Sequence, residues 1–148
     1  MKKYANFVTL EELKSNLNIV DQLPGIYSVF YKGKQPNFLE VGTGGHFKGK
    51  DPNVTLDVLQ EKWLAGVQEI YIGKADNLRS RLDLCVRFGQ GEPVRHYGGK
   101  NIWQIEDQSQ LIFAWKAVED TNPREVKKQL IQEFKELHGS YPFANLRV

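Results

Sequence analysis

The chain has 148 residues, 41% of them apolar and 26% charged, with 20 Lys and Arg against 18 Asp and Glu for a net charge of +2. This composition excludes a disordered or collagenous chain and suits a single domain over residues 1–148. The small net charge does not by itself imply nucleic acid or an anionic membrane.

Cys85 is the only cysteine, so no disulfide framework or Cys-based zinc site is available within one chain. No apolar run reaches the length of a membrane span. Met1 to Asn6 carries basic residues with no apolar core behind them, unlike a signal peptide. The expectation is a soluble cytoplasmic protein with no membrane partner.

In chain order, a first helix is predicted from Thr9. Thr9 and Glu12 fit a capping box, Val8 and Leu13 a hydrophobic staple, and Leu10, Leu13 and Leu17 one apolar face. Leu23-Pro24-Gly25 ends that segment, and residues 26–31 read as a strand rich in β-branched and aromatic side chains. A short strand is predicted over 38–41, a Gly- and Lys-bearing loop over 42–52, and a helix over 55–65. Residues 69–72 read as a strand ended by Gly73, and 77–86 as an amphipathic helix. A glycine-rich loop follows over 88–101. Residues 111–118 form a strand apolar on both faces, as in a central position. The last helix has Asn122 and Glu125 as capping residues and Pro123 at its first position. Val126, Leu130, Phe134 and Leu137 form its apolar stripe, and Gly139 ends it. Three main strands separated by helices indicate an α/β or α+β domain.

Several chemical readings fail on residue type. Gly44 to Lys50 matches the first seven positions of a P-loop, but Asp51 replaces the magnesium-binding hydroxyl and Pro52 follows where a helix should run. His46, His96 and His138 lack metal-ligand spacing. Cys85 lies beside Leu82 and Val86 on a helix face, which fits a small buried residue better than a nucleophile.

The informative pair is Gly25-Ile26-Tyr27 with Tyr71-Ile72-Gly73, each in or at the end of a strand, the second continuing to Arg81 and Leu82. Taken singly, Tyr27 and Tyr71 read as strand aromatics, Arg81 as a surface arginine and Asn145 as a turn residue. Together, over about residues 23–145, they resemble the GIY-YIG nuclease superfamily. The segment 71–82 is similar to that of the N-terminal nuclease domain of the excision-repair nuclease subunit. Residues 98–104 and 142–145 look like a bacterial branch of the superfamily.

The resemblance implies a small three-stranded mixed sheet flanked by helices, with a helical insertion at about 32–66 between the first two core strands. It implies a DNA endonuclease or nickase that hydrolyses phosphodiesters with Mg2+ or Mn2+. Tyr27 and Tyr71 would activate and position water, Gly73 would let the backbone approach substrate, Arg81 would hold the scissile phosphate, and Asn145 would close the site.

Three features depart from that pattern. Tyr27 and Tyr71 are 44 residues apart, Cys85 stands where His or Tyr is usual, and the metal-binding Glu position is occupied by Lys127. A catalytically impaired nucleic-acid-binding module is therefore an alternative, as is a protein-interaction domain. The stretch 74–100 sets six cations, Lys74, Arg79, Arg81, Arg87, Arg95 and Lys100, against three carboxylates. With His96, these form the expected nucleic-acid-binding face.

Overall fold

The structure, a computed structural model, describes residues 4–146. Its sheet has four antiparallel strands: β1 (Asn6–Thr9), β2 (Gly25–Tyr31), β3 (Glu69–Ala75) and β4 (Leu111–Ala117), in the order β1-β4-β2-β3. The fold is α+β, and the expected three-stranded mixed sheet is corrected on two points. The extra strand is β1, four residues whose partner β4 lies about a hundred positions away, so no local pattern announces it. All three pairings are antiparallel, with β4 central as its two-sided apolar pattern suggested.

Helix α1 (Leu10–Ser15) starts with the capping box: Glu12 N–H donates to Thr9 Oγ1 at 3.1 Å, and Thr9 N–H to Glu12 Oε1 at 2.9 Å. Leu17 lies beyond it, in a short 3-10 turn. Helix α2 (Leu56–Lys62) is capped by Thr55 and shorter than expected. Helix α3 (Leu78–Gly89) is capped by Asn77 and runs three residues past the predicted end. The loop after it closes into 3-10 turns over Tyr97–Gln104. Helix α4 (Pro123–His138) is capped by the Asn122 side chain, which accepts from Arg124 N–H, and stops at Gly139 in the left-handed conformation. Leu137, expected in its buried stripe, is 78% exposed. The strand expected at 38–41 is a single bridge between Phe38 and Ile105. Gly73 does not end β3 but sits inside it, opposite Tyr27.

Alternation along the strands sorts side chains onto two faces. Tyr27, Val29, Tyr31, Tyr71, Phe113 and Trp115 enter the main core with residues of α1, α3 and the 97–104 segment. Ile26, Ile72 and Val118 meet Leu130 of α4 on the other face. The segment between β2 and β3 is held to the body by Gln104, a residue with no obvious role in the sequence. Its buried amide accepts from Val54 N–H and donates to the carbonyls of Leu39 and Val54, at 2.9–3.0 Å. None of the helices among the described residues is long and apolar enough to cross a membrane.

Candidate nucleic-acid interface

Tyr27 and Tyr71 leave adjacent strands on the same face of the sheet, with ring centroids 5.9 Å apart. Pairing of Tyr27 with Gly73 explains the spacing. A Cβ on Gly73 would lie 2.5–2.7 Å from the Tyr27 ring and hydroxyl, so the glycine makes room for the tyrosine. The Tyr27 hydroxyl is hydrogen-bonded to His96 Nε2 at 2.8 Å, and the His96 ring also lies 5.9 Å from that of Tyr71. All three are buried. His96, expected among the phosphate-binding side chains, is thus a partner of Tyr27 inside the core.

Burial governs the titration of this cluster. It pushes the Tyr27 hydroxyl well above the ordinary tyrosine range, assisted by Tyr71 and Cys85. Tyr71 is raised for the same first reason, with Arg81 opposing. His96 is pushed down to about 3 by burial and then by the Arg81 charge, so its imidazole is neutral at pH 7. The Cys85 thiol, also buried, is raised to about 12, which leaves it un-ionised and inert.

Asn145 is buried too, and both polar ends of its side chain are engaged. Its Oδ1 accepts from Ile72 N–H and its Nδ2 donates to the Ile72 carbonyl, each at 2.9 Å. Ala144 N–H donates to the Ile70 carbonyl at 2.7 Å. Residues 144–145 therefore pair along the edge of β3 that β2 leaves uncovered.

The expected basic face divides. Arg79 donates to the carbonyls of Val20 and Asn18 at 2.9 and 3.0 Å, tying α3 to the turn before β2. Arg87 is paired with Glu92 at 3.0 Å and Asp83 at 3.5 Å. Both are used internally. Lys74 and Arg95 are exposed, and Lys100 is half-buried against Tyr97.

Arg81 is half-buried in the first turn of α3, and its Nη1 donates to the Arg95 carbonyl at 2.9 Å. Its charge is felt by Tyr27, Tyr71, Cys85, His96 and Lys127. The Lys127 ammonium is held below the ordinary lysine range by burial first, then by Lys74 and Arg81. Lys127 on α4 thus lies within electrostatic range of Lys74 on β3 and Arg81 on α3, although the three residues are widely spaced in the chain. Among the described residues, no carboxylate is ion-paired with any of them.

This donor set does not fit Mg2+ or Mn2+, which take oxygen ligands and carboxylates above all. Lys127 brings a positive charge to the expected ligand position. No group of three His, Cys, Asp or Glu residues suited to a metal ion occurs among the described residues. Asp120 and Glu133 line a groove with Ile26, Lys116 and Leu130. The P-loop-like stretch bends through a 3-10 turn at Phe47–Gly49, and the α-helix that follows it begins only at Leu56. No family model, curated protein or solved structure matches the chain.

Proposed function

We propose that this protein is a nucleic-acid-binding module with the GIY-YIG-like layout its sequence resembles, gripping the DNA backbone without metal-dependent cleavage. Arg81, held on the Arg95 carbonyl with its charge and that of Lys74 acting on Lys127, and with no carboxylate paired to any of the three among the described residues, carries the reading. Three like charges held together repel one another, and a phosphate placed among them relieves that repulsion while gaining attraction from each. Arg81 supplies directional donors: one nitrogen is fixed on the Arg95 carbonyl, which orients the guanidinium and leaves further N–H groups for phosphate oxygens. Lys74 and Lys127 add point charges within its electrostatic range. The local surplus explains how a chain of net charge +2 can hold a polyanion.

Binding of a labelled duplex over a range of salt tests this. Affinity should fall steeply with salt, and Arg81→Ala and Lys74→Ala should each weaken binding and flatten the slope by about one unit. Absence of binding to duplex or single strands at low salt overturns it.

A metal-dependent nuclease is the second reading, favoured by Tyr27 and Tyr71 sharing a face within the field of Arg81. Incubation with supercoiled plasmid and Mg2+ or Mn2+ separates the two. Rapid nicking that Arg81→Ala abolishes replaces the binding module with the nuclease.

A further inference from the structure

Resting on the backbone-binding reading above, we infer that Tyr97, with Lys50 and Lys100 around it, is a stacking platform for an unpaired base of single-stranded nucleic acid. The platform joins two parts of the chain that are far apart in sequence. Lys100 Nζ lies 4.6 Å from the Tyr97 ring centroid and Lys50 Nζ 5.7 Å from it. Lys100 Nζ also donates to the Tyr97 hydroxyl at 3.2 Å, and that hydroxyl donates to the Asp51 carbonyl at 3.4 Å. The segment between β2 and β3 thereby meets the 97–104 turns at one half-buried tyrosine. Among the described residues, Tyr97 makes no ring-to-ring contact, unlike Tyr27, Tyr31 and Tyr71.

The surrounding loop carries two exposed lysines, Lys48 over the Phe47 ring and Lys50 over that of Tyr97. Lys48 is the only non-glycine residue with positive φ among the described residues, at 55°, and Gly49 follows at 74°. A lysine in that conformation is uncommon and costs energy unless its surroundings or its use require it. Lys48 and Lys50 are both exposed around this turn, and the Asp51 carboxylate accepts two hydrogen bonds from Asn53, lies 3.8 Å from His46 Nε2 and is within electrostatic range of Lys100. Lys50 and Lys100 lie over the ring, so a stacking base takes the place of an ammonium on that face while its flanking phosphates take up the displaced charge.

The platform is next to the phosphate site. A Cβ on Gly98 would lie 3.8 Å from the Tyr71 hydroxyl, and Arg81 is bonded to the Arg95 carbonyl. The backbone on which Tyr97 sits is therefore fastened to the site that Arg81 serves. A base buried in duplex cannot offer its face to Tyr97, whereas one in a single strand can.

The test uses a fluorescein-labelled single-stranded DNA oligonucleotide, the same sequence as a blunt duplex, and a single strand carrying 2-aminopurine. Tyr97→Ala should weaken single-strand binding roughly tenfold, leave duplex affinity within twofold, and remove quenching of 2-aminopurine. Tyr97→Phe, which keeps the ring and loses the hydroxyl bonds, should retain both affinity and quenching. Equal effects of Tyr97→Ala on single strand and duplex, or a Tyr97→Phe as weak as Tyr97→Ala, overturns the platform while the backbone-binding reading stands. Wild-type protein that binds neither probe overturns both.

Discussion

Both polar ends of the Asn145 side chain are bonded to the main chain of Ile72, across 73 residues of sequence. An asparagine amide carries a donor and an acceptor in the spacing of a peptide group, so it completes the edge of β3 as another strand would. Truncation leaves a buried N–H and a buried carbonyl unpaired. Asn145→Ala should therefore cost about 2–4 kcal/mol in urea unfolding. A loss below about 0.5 kcal/mol would show that the edge is dispensable.

What the sequence made legible was local. The capping box at Thr9 and Glu12, the Asn122 cap and three of the four strands rest on neighbours a few residues apart. The common face of Tyr27 and Tyr71 was within reach because strand periodicity and one motif pair together define it. Pairing over long separations was not. β1 needs β4, Asn145 needs Ile72, and the Gln104 clamp needs Leu39 and Val54; in each case the signal exists only once the chain has closed. Charge misled for a related reason. Arg79, Arg81 and Arg87 look alike in sequence, yet the first caps carbonyls, the third is neutralised by Asp83 and Glu92, and the second has no carboxylate partner among the described residues and repels Lys127.

The buried His96 makes stability depend on acid. Its folded-state pKa, about 3, lies below the ordinary 6.5. An unfolded chain therefore takes up a proton that the native state refuses. The contribution is fully present above pH 6.5 and is lost as pH falls towards 3, by about 2 kcal/mol at pH 5. His96→Gln removes the titration and keeps a hydrogen-bonding partner for Tyr27. Urea unfolding at pH 8 and pH 5 should show a smaller loss for the variant by that amount. Identical losses would mean that His96 protonates in the folded protein.

Gly73 is tested by adding one methyl group. At 2.5–2.7 Å from the Tyr27 ring, the Cβ of Gly73→Ala forces the tyrosine or the strand to shift. The neighbouring core is closely packed, so a cost of about 1–3 kcal/mol is expected. Thermal unfolding followed by tyrosine near-ultraviolet circular dichroism should report both a lower midpoint and a changed aromatic signal. An unchanged midpoint and signal would show that Tyr27 has space to retreat.

Lys127 should show stability and binding moving in opposite directions. Its ammonium is partly desolvated and repelled by Lys74 and Arg81, so it weakens the folded state, while on the proposed reading it strengthens phosphate binding. Lys127→Met keeps much of the apolar stem and removes the charge. The variant should be as stable as wild type or more so, by up to about 1 kcal/mol after allowance for solvent screening. Its duplex affinity should fall several-fold, with the salt slope flattened by about 0.9 for one lost phosphate contact. A structural lysine would give the reverse: lower stability and unchanged binding. Opposite signs in the two measurements on one variant therefore separate a charge held for a ligand from one held for the fold, because loss of folding lowers both together.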